Sequence, residues 1–531
     1  MKRARGSRFR DDDSGAVAPT IALSLFALIA VGGIGFDYAR MAAMDSELQN
    51  AADQAALAAA TQLDGETGAI NRATTAAQSL VTNSTLFSND NVGTTTISIP
   101  TVVFYKDIEK KTEALTDEDA NFVEVTTVTR EANFALTPIV AAFSSGPLEA
   151  IAFAGVDSAI CNVPPVMICN PQETEANSEL DIDFDTSGLI GVGIKLVSVG
   201  NNGGAWAPGN FGYLDTGSPV NNPNIELKQA LGWTSVPGNC QSQSGVQTKS
   251  GAGTPITHAI NTRFDIYEKG GPGGSACPDG GSCPASINSV KDLVRAQNAN
   301  GANSCGIGPQ GWGEPAQPYL PTSATDDLDL TVPANVPSSM GHPRDKCHAI
   351  ASPSCDKIGD GNWDRNAYFF VNYGWSTSQW QTNTGLGATP TRYQVYEWEI
   401  DNRGKVIGGK TILNPRTASG TSPNALIDHD KPVCSAGEGF GNGLVPDDDT
   451  PDRRRFSAAL VNCKNQNVNG GGGTVYQVKK WIELFVVEPS ANRARTGLQD
   501  VYVELIGETP AGSGAGTVGQ VVSRNVPYLI E

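Results

Sequence analysis

The run AVAPTIALSLFALIAVGGIGF at 16–36, continuing into DYARMAAMDSELQNAADQAALAAATQL at 37–63, decides how this chain is built. Residues 16–36 carry no charge, and at about 1.5 Å per residue they give a helix of ~31 Å, close to the ~30 Å hydrocarbon core of a bilayer. Lys2, Arg3, Arg5, Arg8 and Arg10 precede the run. Asp11, Asp12 and Asp13 stand between, but acidic residues count little in fixing orientation. The arginines Arg3, Arg5, Arg8 and Arg10 are therefore the expected topology determinants. They hold 1–15 in the cytosol as a basic tail, place 16–36 across the membrane and send the remainder outward. A cleaved signal peptide is the competing reading. The apolar run is longer than a usual signal core, and no A-x-A site ends it, so an uncleaved anchor is expected.

Beyond the membrane the pattern becomes a helical stem over 37–63. Tyr38, Met41, Met44, Leu48, Ala51, Ala55 and Ala58 recur in steps of three and four. Leu48, Ala51, Ala55 and Ala58 form its expected contact face, since small side chains permit close approach. Two readings of that face stand side by side: the helix lies on its own domain, or it binds a partner. Gly32, Gly33 and Gly35 offer a place for the rod to bend. Asp37 and Arg40 mark the outer membrane interface.

Residues 64–160 read as a small α+β unit. A weak helix runs over 69–80, and strand-like runs lie at 94–105, 121–136 and 151–160, with a polar hairpin loop at 106–120. Residues 161–531 read as a β-rich, cysteine-containing region with long Gly/Pro/Asn loops. Strands are expected there at 189–199, 256–267, 366–373, 392–400, 475–487 and 500–506. The short run INSVKDLVRA at 287–296 is the best helix in this region. The fold class expected is α+β, with a transmembrane helix continuing into the stem.

Composition narrows the function classes. The chain has 531 residues, 37 Lys+Arg against 56 Asp+Glu and a net charge of −19, so no basic excess exists to neutralise a nucleic acid. Gly (59) and Pro (32) are abundant, which suits a turn-rich exported protein. All 10 cysteines lie at or beyond residue 161, in the segment expected to reach an oxidising compartment. Short-range disulfides are expected for Cys161–Cys169, Cys277–Cys283 and Cys347–Cys355. None of these spacings is CxxC, so thioredoxin chemistry and zinc ribbons lose support.

Little else suggests chemistry. The four histidines, His258, His342, His348 and His429, form no HExxH or other close ligand pair. There is no GxSxG and no GxxxxGK[ST], so neither a hydrolase elbow nor a phosphate loop is expected. Asp356, Asp360, Asn362 and Asp364 (in DKIGDGNWD) place oxygens in a Gly-containing turn. Calcium needs six to eight oxygens, and the spacing departs from the EF-hand loop. An Asx-rich turn is expected, with a calcium site as the alternative. No metal, no cofactor and no catalytic residue is expected.

The N-terminal pattern has a family resemblance. A basic stretch, then DDDSGAVAPTIALSLFALIAVGGIGFDYARM at 11–41, then LQNAADQAALAAA at 48–60, resembles the N-terminal domain of TadE/TadG-like proteins of the Flp (Tad) pilus system over residues 8–63. Further runs are similar to those of longer TadG-related proteins, among them CNVPPVMICNP at 161–171, NWDRNAYFFVNYGW at 362–375, RRRFSAALVNC at 453–463 and WIELFVVEP at 481–489. The resemblance implies a non-catalytic role in assembling or anchoring Flp pili at the bacterial envelope, with the membrane and pilus-assembly or pilin components as partners. Two departures qualify it. Asp185-Thr186-Ser187-Gly188 begins like the DxSxS metal motif of the von Willebrand A domain that TadG proteins often contain, but the second Ser is absent. Thr20 stands where a prepilin-type leader site after Gly15 would need Glu, which argues against leader processing. The expected location is the inner membrane, single-pass, with a large periplasmic C-terminal region. The alternative is a secreted or surface adhesin, released by cleavage near 33–37.

Overall fold

A computed structural model describes residues 17–63, 67–80, 83–90, 95–136, 144–161, 166–198, 206–215, 223–234, 241–242, 245–249, 254–267, 282–300, 304–351, 355–435, 443–447, 450, 452–469, 474–492, 500–509 and 522–530. The helices that matter are α1 (Val17–Ala60), α2 (Ala69–Thr75), α3 (Pro223–Gly232), α4 (Thr254–Asn261), α5 (Arg365–Tyr373), α6 (Thr377–Thr384) and α7 (Arg392–Asp401). The strands are β1 (Thr101–Tyr105), β2 (Phe122–Thr126), β3 (Ile151–Cys161), β4 (Val166–Cys169), β5 (Gly193–Ser198), β6 (Asn210–Leu214), β7 (Arg455–Val461), β8 (Lys480–Val486), β9 (Asp500–Glu508) and β10 (Val522–Leu529). The mix is α+β, and the chain folds as two units.

The first unit takes in residues 1–157 and 525–531. Its sheet has the order β10-β3-β2-β1, antiparallel between β1 and β2 and between β2 and β3. Alternation along β2 and β3 turns Val123, Val125, Ala152 and Ala154 to one face. There they meet Leu48, Ala51, Ala55 and Ala59 of α1 in a single core. The small residues of the helix let it lie close on the sheet. The last strand, expected to belong with 161–531, instead returns to this unit beside β3.

The second unit is residues 158–524. Six of its strands close into a barrel in the cyclic order β6-β4-β7-β8-β9-β5, with β5 pairing back to β6. The β4·β7 and β5·β6 pairs are parallel and the others antiparallel. Every second residue points inward. Ile168, Leu196, Phe211, Leu460, Leu484 and Val503 share one buried cluster. The outward residues Phe485 and Tyr502 pack against Tyr396 and Ile400 of α7. Two short strands, Gly245–Lys249 and Val475–Gln477, continue outward from β6.

Four sequence expectations are corrected. Residues 366–373 and 392–400, expected as strands, are the helices α5 and α7. The Asp364 side chain accepts the Ala367 amide to cap α5, and Gly374 at φ 67° closes it. Thr391 and Gln394 form a capping box for α7. These end signals outweigh the aromatic and β-branched character of the segments. Residues 256–267 contain the helix α4 and a 3-10 turn at Thr262–Phe264 rather than a strand. Residues 287–296, expected as a helix, run extended into the short strand Val294–Ala296. Their amides go to distant carbonyls, Ile287 N to Leu444 O and Ser289 N to Asp430 O, so tertiary pairing replaces the helical ladder.

Disulfide pairing also departs from expectation. Cys169 bonds Cys463 rather than Cys161, joining the ends of the parallel neighbours β4 and β7. Adjacent strand ends place these two Cα atoms 5.2 Å apart, whereas sequence proximity alone does not. Cys305 bonds Cys434, and Cys347 bonds Cys355, the short-range pair that the spacing allows. Cys283 is also disulfide-bonded, while Cys277 lies outside the described residues.

Candidate functional site

The first candidate is α1, one helix with two chemistries. From Val17 to Phe36 its large side chains are exposed: Leu23, Leu28 and Val31 each show 70% of their surface. Ten large apolar residues are exposed over this half. Leaving them in water forgoes roughly 1.5–3 kcal/mol apiece for full exposure, or on the order of 10 kcal/mol together at their partial exposure, which is comparable to the ~5–15 kcal/mol that holds a typical domain folded. A surface of this kind needs an apolar surrounding. It is the one helix among the described residues long and apolar enough to cross a membrane. Pro19 sits in the first turn, where its missing N–H removes no helical bond.

From Met44 to Ala60 the same helix buries one face, formed by Met44, Leu48, Ala51, Ala52, Ala55, Ala56, Ala59 and Ala60. Leu48, Ala51 and Ala55 are covered by the sheet of their own unit, and Ala58 is half-buried. Three of the four residues of the expected stem contact face are therefore packed inside the helix's own unit. The helix α1 is continuous across Gly32, Gly33 and Gly35.

Where the two halves meet, a collar of chain is tied to the helix. Asp37 is 1% exposed, and its carboxylate accepts the amides of Ala135 (3.1 Å) and Leu136 (2.8 Å). Gly33, one turn earlier, is needed for the approach: a Cβ there would stand 2.7 Å from Leu136 Cβ. Arg40 Nε donates to Phe87 O at 2.9 Å. The Glu47 carboxylate accepts from Thr85 Oγ1 (2.7 Å) and from the Leu86 amide (3.0 Å). The two collar segments are fastened to each other by paired Asn89–Asn133 hydrogen bonds and by the fork of Arg130 on Asp90 at 2.8 and 3.0 Å. The sequence marked Asp37 and Arg40 as interface residues. It did not signal that Asp37 is a buried acceptor for a segment about 100 residues away. The topology arginines Arg3, Arg5, Arg8 and Arg10 lie outside the described residues.

The second candidate is a charged cluster buried in the second unit. Arg392 of α7 donates to Glu504 of β9 at 2.8 Å, to Asp345 and to Pro343 O at 2.6 Å, and all three charged side chains are buried. Asp345 also accepts the amides of Gly193 (3.1 Å), Asp360 (2.9 Å) and Gly361 (2.9 Å). Burial alone would raise this carboxyl. The Arg392 guanidinium and the amides outweigh it and hold Asp345 below the ordinary range. Nearby, Glu399 accepts from Tyr368 (2.6 Å), Tyr373 (2.8 Å) and Asn288 (2.7 Å), and burial raises its pKa. His342 stacks on Tyr368 at 4.8 Å, and burial together with Arg454 and Arg392 keeps its pKa far below that of free imidazole. Burial also lowers His348 and His429, each to about 4. Arg392, Asp345, Glu504 and Glu399 are enclosed and hydrogen-bonded to one another or to neighbouring groups, an arrangement that orders a core, whereas the ring nitrogens of His348 and His429 have no hydrogen-bond partner among the described residues.

In the DKIGDGNWD turn the four oxygen-bearing residues take separate roles. Asp356 is exposed beside Lys357, and Asp360 accepts its own Asn362 amide. Both Asp364 oxygens are engaged by backbone amides, of Ala367 and Leu328. The four do not converge. The turn instead wraps its N–H groups around Asp345, so it is built to receive an anion rather than a cation. Among the described residues no group of three or more His, Cys, Asp or Glu side chains is placed to hold a metal. The Asp185 carboxylate is likewise engaged locally, by Ser187 Oγ at 3.0 Å and the Gly188 amide at 2.9 Å.

Comparison with known proteins bears on the first candidate. Residues 15–62 match the family of putative Flp pilus-assembly TadE/G-like proteins. The TadE/G-like segment thus covers the apolar half of α1, the collar residues Gly33, Asp37, Arg40 and Glu47, and the alanine face. No curated protein and no solved structure matches the chain.

Proposed function

We propose that this protein is a membrane-anchored structural component of Flp/Tad pilus assembly at the bacterial envelope and is non-catalytic. It sits in the inner membrane as a single-pass protein, with its basic N-terminus in the cytosol and both folded units in the periplasm. The observation that carries this reading is the division of α1 within the TadE/G-like segment: an exposed apolar half of bilayer length, continuous with a half built into a folded unit. The disulfides support an oxidising compartment. The mutual engagement of Arg392, Asp345 and Glu504, and of Glu399 with Tyr368, Tyr373 and Asn288, supports a structural role for the buried charged cluster.

A C-terminal alkaline phosphatase fusion tests the topology. Activity, together with full-length chain in washed membranes, is expected. A cytosolic reporter, or normal surface piliation in a strain lacking the chain, overturns the proposal.

A further inference from the structure

The collar sits at a depth that the anchor itself defines. Gly33 lies about 24 Å along the helix from Val17 and about 5 Å before Phe36, at 1.5 Å per residue. Leu136 packs directly on Gly33, so it stands beside the apolar span rather than above it. Its side chain is 46% exposed there. Non-helical backbone at such a depth is costly unless its amides are satisfied, because lipid offers no partner. The two amides concerned, Ala135 and Leu136, are the ones the buried Asp37 carboxylate accepts. Tyr38, 65% exposed on the next turn, supplies the amphipathic ring favoured at a headgroup boundary.

We infer that residues 133–136 are a second, non-helical membrane contact, carrying Leu136 into the periplasmic boundary of the bilayer that α1 spans. This deepens the anchor reading and rests on it. A single helix is free to rotate and slide in lipid. A loop fastened to one side of it at Gly33 and Asp37 removes both freedoms, so the first unit is held at one depth and one rotation. The carboxylate is the device that makes this possible: it gives two loop amides a partner that neither water nor lipid supplies at that level.

The test uses the full chain in vesicles of phosphatidylethanolamine and phosphatidylglycerol, with a benzophenone amino acid placed at position 136, 26 or 115. Position 26 lies within the apolar half, and Leu115 is exposed at the opposite end of the unit, near the Asp117 contact with α2. Lipid adducts are expected at 26 and 136 and not at 115. In the Asp37→Asn variant the adducts at 136 should be lost while those at 26 persist. Adducts at 26 without adducts at 136 in the unmodified background overturn the loop contact and leave the anchor standing. Absence of adducts at both positions overturns both.

Discussion

Replacing Arg392 with Met removes the guanidinium from the centre of the second unit and leaves two carboxylates behind. Asp345 and Glu504 are each at most 1% exposed, so neither can be rescued by water without opening the barrel–helix contact. Breaking a buried pair by deleting one partner costs about 3–5 kcal/mol. Here Asp345 keeps three amide donors and Glu504 keeps the amides of residues 392 and 393, which places the loss near the lower end, about 3 kcal/mol. The pH dependence follows from the two shifts. Asp345 titrates below its unfolded value, so its ionisation adds stability that is lost as pH falls; Glu504 titrates above its unfolded value because of burial, so its ionisation opposes folding above that value. Without Arg392 both carboxyls move upward. The penalty is then full near neutrality and shrinks as acid protonates them. All eight tryptophans lie between residues 206 and 481, so urea unfolding followed by tryptophan fluorescence reports this unit. A penalty below about 1 kcal/mol at neutral pH, or one that grows toward about pH 5, refutes the reasoning. Adding Asp345→Asn to the variant should recover part of the loss, since an amide does not carry the stranded charge.

Three further outcomes are expected. Ala55→Leu puts bulk where α1 lies against β2 and β3 and should cost about 1–3 kcal/mol, whereas Ala58→Leu, at a half-buried position, should cost less; limited proteolysis of the first unit on heating ranks them. Non-reducing peptide mapping should recover a Cys169–Cys463 peptide, and Cys463→Ser should lower the stability of the second unit by about 2–5 kcal/mol; a Cys161–Cys169 peptide in its place contradicts the parallel pairing of β4 with β7. Thr391→Ala removes the acceptor for the Gln394 amide at the start of α7 and should shift the urea midpoint by an amount equivalent to about 1 kcal/mol, with Thr391→Ser restoring it.

The readable parts of the chain are those written in local pattern. The anchor is a bare hydropathy run, and the strands around 475–487 and 500–506 alternate visibly. Other information was local but masked. Residues 365–373 and 392–401 are rich in aromatic and β-branched side chains, which favoured strands, while Asp364, Gly374 and the Thr391/Gln394 pair carried the helix signals. Barrel closure was not legible, because β4 and β7 pair across nearly 300 residues and no local periodicity encodes a partner. The same limit applies to the site. Asp345 has no motif around it; it becomes central only when the chain brings Gly193, the 359–361 turn and Arg392 to one point.

The structure also constrains the released-adhesin alternative. Cleavage near 33–37 would cut α1 through the seat of its own collar. Gly33 would leave with the signal, and Asp37 would become a fraying helix end rather than a buried acceptor. The amides of Ala135 and Leu136 would lose their partner, at about 1–3 kcal/mol for each stranded group. A segment designed for removal has no reason to hold part of the fold that remains. Connectivity makes a related point about force. The second unit is inserted between β3 and β10, which are neighbours in the sheet that packs on α1. Tension between the second unit and the membrane therefore enters at adjacent strands of one sheet and reaches α1 through the core around Ala51 and Ala55. A protein that only needed tethering could hang from a flexible linker. In the proposed anchoring role, a helix that is both apolar span and core element couples the membrane to the fold of the first unit directly.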